Sequence, residues 1–130
     1  MRAALDLDGT LYGDVVNSGL AKPFFMLNHP HPGETNFHRD DLVFQNAKPG
    51  YRATLTDSEH AFSSDFGVLP FFQSAEIRAT MGAIDPTRAL TITRAYVEAF
   101  FQEHLEGRKS PLLNGPSPDF REIVFVRNRN

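Results

Sequence analysis

The chain has 130 residues, a size that accommodates one compact domain with a single core. Hydrophobic residues make up 41% and charged residues 22%, so the composition is globular, and a net charge of −3 without a block of like charges argues against electrostatic binding to nucleic acid. The absence of cysteine excludes a disulfide framework, a thiolate metal site and a cysteine nucleophile.

Short apolar runs alternate with longer helical patterns, which predicts an α/β fold with a mostly parallel sheet flanked by helices. Residues 3–7 are predicted to end the first strand, before Gly9. The continuous apolar run 23–27 is typical of a strand buried on both faces of a parallel sheet. A short helix is predicted over 37–46, and the alternating, β-prone segment 51–56 predicts a third strand.

The last third of the chain contains the clearest predicted helix. Asp85 is the expected N-cap, Pro86 occupies the first helical position and Gly107 follows the last turn. Residues 121–126 predict a final short edge strand. The helix carries a stripe of residues spaced three and four apart, which predicts its core face: Ala89, Ile92, Thr93, Tyr96, Val97, Phe100, Phe101 and Leu105.

Two aspartates, Asp6 and Asp8, occur in the segment Asp-Leu-Asp-Gly-Thr-Leu-Tyr after the first apolar run. This segment resembles the first motif of the haloacid dehalogenase-like phosphatases, in which the first aspartate attacks a phosphoryl group and Mg²⁺ offsets the charge. That chemistry also needs a phosphate-holding lysine and an acidic pair that follows a strand. Lys22 starts a strand and the pair at 40–41 precedes an apolar run, so an Asp6/Asp8 phosphatase is kept only as an alternative.

A second interpretation starts from the polar segments that follow the predicted strands. Asp8 follows the first strand and His60 follows the third, and this order matches the last two members of an α/β-hydrolase triad. Several stretches in the right order resemble the C-terminal half of the platelet-activating-factor acetylhydrolase-like branch of the α/β-hydrolases. The stretches that carry the resemblance are 7–13, 20–27, His60 with Asp65 and Phe66, and 84–105.

The resemblance covers nearly the whole chain and implies a partial α/β-hydrolase domain over residues 1–130. It implies a carboxylic-ester hydrolase that acts on a small-molecule ester or lipid, with Asp8 as the triad acid and His60 as the general base. It implies no cofactor and no metal. No serine of the chain lies in a Gly-x-Ser-x-Gly elbow, so the nucleophile is expected in a missing N-terminal half, upstream of Met1. The isolated chain is then expected to be inactive, and a non-catalytic fragment is the remaining alternative.

Three histidines, His29, His31 and His38, lie in or near a segment rich in proline and glycine. Imidazole is a zinc ligand, but the sequence shows no carboxylate at a fixed spacing from these residues. The segment is therefore interpreted as a surface loop near the mouth of the active site rather than as a metal site.

No apolar run approaches the roughly 18 residues of a membrane-spanning helix, and the first residues lack the apolar core of a secretory signal. We therefore expect a soluble domain without stable membrane insertion. The compartment does not follow from the sequence, because any leader would precede Met1.

Overall fold

The computed structural model describes residues 1–32, 40–72 and 74–128. One sheet has the strand order β1-β2-β3-β4, in which the first three strands are parallel and β4 pairs antiparallel with β3. The mostly parallel α/β arrangement expected from the sequence is confirmed. The strands are β1 (Ala4–Leu7), β2 (Phe24–Asn28), β3 (Gly50–Leu55) and β4 (Ile123–Arg127).

Helices connect and cover these strands, and the longest has the boundaries that the sequence predicts. The side chain of Asp85 accepts a hydrogen bond from the Arg88 amide at 2.9 Å, and Gly107 ends the helix with a left-handed φ of 75°. Of the helix predicted over 37–46, the part from Asp40 is confirmed and 37–39 lies outside the described residues. The helices are α1 (Val15–Ser18), α2 (Asp40–Asn46), α3 (Ala75–Met81) and α4 (Pro86–Glu106).

The main core lies between α4 and one face of the sheet. Phe25 of β2 packs its ring 5.7 Å from Phe100 and 6.1 Å from Tyr96, both on α4. On the other face, Met26 packs against α2, so β2 is buried on both sides as its continuous apolar run predicts. The expected core position of Leu105 is wrong, because this residue lies in the last turn of α4 and its side chain is 40% exposed.

The C-terminal strand is fastened at both ends by side chains. The Arg88 guanidinium of α4 donates two hydrogen bonds, at 2.7 and 3.0 Å, to the carboxylate of Glu122 just before β4. Beyond β4, the Asn128 side chain accepts from the Gly50 amide at 3.0 Å and donates to three backbone carbonyls around the end of α2. The edge strand is therefore tied to α4, to β3 and to α2.

Among the described helices, none combines the length and apolar character needed to cross a bilayer.

Glu103 of α4 gives the fold a specific acid sensitivity. Its burial opposes ionisation, but hydrogen bonds from the Ser110 amide at 3.0 Å and from Lys109 at 3.3 Å outweigh burial and lower the pKa of the carboxyl. Because the pKa of Glu103 is lower in the folded chain than in the unfolded chain, its ionised carboxylate stabilises the fold at pH values above the ordinary glutamate pKa. This stabilisation is lost as the pH falls through the lowered pKa.

We expect Glu103→Gln to lower the free energy of unfolding by about 1 kcal/mol at neutral pH, because a charged hydrogen-bond acceptor becomes a neutral one. The difference from wild type should shrink as the pH falls below the ordinary glutamate pKa, and urea unfolding at several pH values measures it. Glu98→Gln, on an exposed position of the same helix, should leave the acid dependence of the wild type unchanged. A Glu103→Gln difference that stays constant down to acid pH contradicts this account.

Candidate active site

Asp8 lies directly after β1, at the carboxyl ends of the parallel strands, where open α/β sheets bind ligands. Its backbone has a left-handed φ of 55°, a conformation that aspartate adopts more readily than most residues. The Asp8 amide donates to the Leu27 carbonyl at 2.9 Å, which ties this turn to β2. The carboxylate is thereby directed into the protein, and its side chain is only 1% exposed.

Four donors converge on the Asp8 carboxylate. His60 Nδ1 and His29 Nδ1 each lie 2.6 Å from Oδ2. His31 Nε2 lies 3.1 Å from Oδ1, which also accepts the His29 backbone N–H at 2.9 Å. A carboxylate offers about four acceptor positions, so these donors satisfy the buried group without water.

His60 begins a short 3₁₀ turn that follows β3, and its ring is held at one edge only. Because an ionised carboxylate can only accept, Nδ1 carries the proton that Asp8 binds, which leaves the Nε2 lone pair available as a base. The His60 side chain is 78% exposed, so most of the ring faces solvent. Within residues 1–32, 40–72 and 74–128, no serine hydroxyl is hydrogen-bonded to His60.

The loop before His60 is fixed to α3 and to the core. Ser58 forms an isolated β-bridge with Gly82, and its hydroxyl donates to the Leu55 carbonyl at 2.6 Å. The Glu59 amide donates to the Met81 carbonyl at 3.1 Å. Phe62, two residues after His60, is fully buried in the core, so the histidine projects from a turn that is anchored on both sides.

Gly82 is expected to be a sensitive position of this loop. Its φ is +88°, and an added Cβ would lie 2.5 Å from the Asp57 carbonyl oxygen. We expect Gly82→Ala to destabilise the chain by about 1–3 kcal/mol through this overlap, in addition to the cost of the left-handed φ. Gly107→Ala is the control for the positive φ alone, because Gly107 has a φ of +75° in the αL region and nothing lies within 4 Å of an added Cβ, whereas the ψ of −166° at Gly82 adds a cost of its own. Thermal unfolding compares the two variants, and equal losses at the two glycines contradict the proposed overlap.

Asp6, the other aspartate of the pair, has a different environment. Its Oδ2 accepts the Gly9 amide at 3.0 Å, which closes the turn after β1. Burial raises the pKa of the Asp6 carboxyl, and the nearby Asp8 charge adds to this, although the Gly9 hydrogen bond acts in the opposite direction. Asp6 therefore supports the turn that presents Asp8.

The structure brings the two sequence-predicted residues, Asp8 and His60, into direct hydrogen-bond contact. It also brings His29 and His31 to the same carboxylate. Their spacing in the sequence indicates no carboxylate partner, because Asp8 precedes His29 by 21 residues and His31 by 23. The available signal was their position directly after β2, because the ends of neighbouring parallel strands meet at one edge of a sheet. His38 lies outside the described residues.

A cavity of about 160 Å³ lies beside this cluster, on the α2 side of the sheet. Its lining includes His29, His31, Asn28 and Arg52, but neither Asp8 nor His60. The cavity is therefore separate from the exposed face of the His60 ring.

The chain is similar to one esterase in sequence and to another in structure. The chain is 30% identical, over 95% of its length, to a probable 1-alkyl-2-acetylglycerophosphocholine esterase of Arthroderma benhamiae. Its fold matches a ferulic acid esterase from Streptomyces cinnamoneus with a TM-score of 0.79 and 28% identity, over 96% of this chain. No family model matches. The chain spans 37% of the first protein and 39% of the second, so each match covers well under half of a longer esterase. The resemblance to these esterases and the partial α/β-hydrolase fold are thus confirmed.

Proposed function

We propose that this chain is the acid- and histidine-bearing part of a serine carboxylic-ester hydrolase. The observation that carries the proposal is the 2.6 Å contact between His60 Nδ1 and Asp8 Oδ2, which joins the carboxyl ends of β1 and β3. An acid before a histidine in the chain is the order found in α/β-hydrolases. The similarity to two esterases supports the same reaction class.

In the proposed reaction, a serine hydroxyl attacks the ester carbonyl and transfers its proton to His60 Nε2. Asp8 holds the ring in the productive tautomer and stabilises the imidazolium that forms. The imidazolium then protonates the departing alkoxide, which leaves an acyl-serine. His60 next accepts a proton from water as the resulting hydroxide attacks the acyl group. The bond to the serine oxygen then breaks, and His60 returns its proton to that oxygen, which gives the carboxylic acid and free serine.

The serine is proposed to come from polypeptide outside this chain. The sheet offers a place for it, because the edge of β1 that faces away from β2 has no partner strand among the described residues. A strand at an open edge presents unpaired N–H and C=O groups to which a further strand can add. We propose that the sheet continues there, with the nucleophile and the oxyanion donors on the added part.

The substrate proposed is a small-molecule ester. The Arthroderma relative is named for an acetyl ester and the Streptomyces protein for an ester of ferulic acid, so the acyl groups of the two differ in size. Only the ester bond is common to both names. The geometry does not support the alternative of an Asp6/Asp8 phosphatase. The Asp8 carboxylate is buried, and imidazole and amide donors already occupy its hydrogen-bonding positions.

The test uses p-nitrophenyl acetate with the isolated chain and with a longer polypeptide that restores the residues upstream of Met1. We expect hydrolysis only by the longer polypeptide, and a serine-directed phosphonate should label a serine that precedes Met1. Turnover by the isolated chain that a phosphonate abolishes would overturn the proposal. Failure of the longer polypeptide to hydrolyse the ester would favour a non-catalytic role, and Mg²⁺-dependent release of phosphate from p-nitrophenyl phosphate would favour the phosphatase.

A further inference from the structure

We infer that Asp8, His29 and His31 form a binding site for a transition-metal dication of the Zn²⁺ type. A triad requires one imidazole on its carboxylate, whereas Asp8 contacts three. The rings of His29 and His31 thus bring to Asp8 two further nitrogens that the proposed hydrolysis does not use. Two imidazoles and one carboxylate are a donor set that zinc binds in proteins. Zinc binds an imidazole through a nitrogen lone pair, so the protons that His29 Nδ1 and His31 Nε2 donate to Asp8 move to the other ring nitrogen or to solvent when the metal binds.

The spacing of the donor atoms suits a small tetrahedral ion. One ligand atom from each of the three residues lies within 4.8 Å of the other two. Zinc bonds of about 2.0–2.1 Å place tetrahedral ligands roughly 3.3 Å apart. His31 Nε2 and Asp8 Oδ1 are already 3.1 Å apart, and His29 Nδ1 and Asp8 Oδ2, at 2.6 Å, must move apart when the metal binds.

The surroundings hold the ligands in place. The His29 and His31 side chains are each only 11% exposed, and their ring centroids are 3.7 Å apart. The His29 backbone N–H fixes the Asp8 carboxylate, and the Glu59 carboxylate lies 3.9 Å from His29 Nε2. A carboxylate behind a metal-binding imidazole is a common outer partner in zinc sites.

Metal binding at this site has a consequence for His60, which rests on the proposed function. An ion on Asp8 withdraws the carboxylate charge that orients and stabilises the His60 imidazolium. We therefore expect micromolar to millimolar zinc to inhibit the esterase reversibly, with activity restored by a chelator. The binding itself requires neither a nucleophile nor an ester.

The experiment measures binding to the isolated chain by calorimetry and by thermal unfolding, with ZnCl₂ and with MgCl₂ as the control. We expect one Zn²⁺ per chain, a rise in Tm that EDTA reverses, and no response to Mg²⁺, which prefers oxygen ligands. Co²⁺ should give the visible absorption of a tetrahedral nitrogen and oxygen site.

His31→Gln and His104→Gln form the pair of variants, because His104 lies outside the cluster and contacts the Tyr51 hydroxyl instead. His31→Gln should weaken Zn²⁺ binding by at least about 100-fold, because even the outer partners of metal ligands change affinity 10–100-fold. His104→Gln should bind as tightly as wild type. Circular dichroism checks that both variants fold.

An absence of zinc binding by the wild type, or equal binding by His31→Gln and wild type, would overturn the inference. Either result leaves the proposed esterase untouched, because ester hydrolysis is assayed in the longer polypeptide in chelator-treated buffer. Conversely, a longer polypeptide without esterase activity leaves zinc binding by the chain as a separate result.

Discussion

His60→Ala in the longer polypeptide is expected to lower kcat for p-nitrophenyl acetate by roughly 10³-fold or more. The substitution removes the group that we propose accepts the proton of the nucleophile, and because that role is not one of substrate binding, KM should change little. Stopped-flow or steady-state release of p-nitrophenolate measures both constants. Because the His60 side chain is mostly exposed, free imidazole should reach the vacated position and restore part of the activity.

The control for this loss is His104→Gln. His104 is the remaining described imidazole outside the cluster, and its Nε2 contacts the Tyr51 hydroxyl at 3.1 Å on the far side of the core. We expect this variant to keep the kcat of the wild type. Comparable losses in His104→Gln and His60→Ala would show that the effect arises from folding rather than from proton transfer.

Asp8→Asn is expected to lower kcat by about 10⁴-fold, because an amide cannot hold His60 in the required tautomer. The amide also presents an NH₂ group to donors that converge on a carboxylate, so at least one of the four hydrogen bonds must break. We therefore expect a lower Tm of the isolated chain in addition to the loss of activity.

Asp6→Asn is the matched control, because the asparagine oxygen can still accept the Gly9 amide. It should keep kcat within about tenfold of wild type, since a residue that acts only through a turn has a smaller effect than a triad member. This comparison also separates the two reaction classes, because a phosphatase that uses Asp6 as its nucleophile would lose activity in both variants.

Elements with strong local signals could be predicted from the sequence. Helix α4 carries its N-cap, its proline and its terminal glycine within the segment itself, and the buried run of β2 needs no partner to be recognised. Two of the short helices were not predicted. Helices α1 and α3 have four and seven residues, and their stability depends on packing rather than on propensity.

The candidate site likewise has one part that the sequence predicts and one part that depends on long-range structure. The pairing of Asp8 with His60 was expected from chain order and from the family resemblance. The contacts of His29 and His31 with Asp8 depend on the register of β1 against β2, where Leu7 lies opposite Leu27, and this register is a long-range property.

The antiparallel pairing of β4 with β3 has a consequence for synthesis of the protein. β3 ends at Leu55, but its partner begins at Ile123, so one edge of β3 stays open while the ribosome adds the whole of α4 and the following loop. An open strand edge in a nascent chain can pair with another molecule. Because Asn128 then secures the start of β3 through the Gly50 amide, a nonsense mutation at or before position 123, which removes both β4 and Asn128, should direct the truncated chain to chaperones and proteolysis.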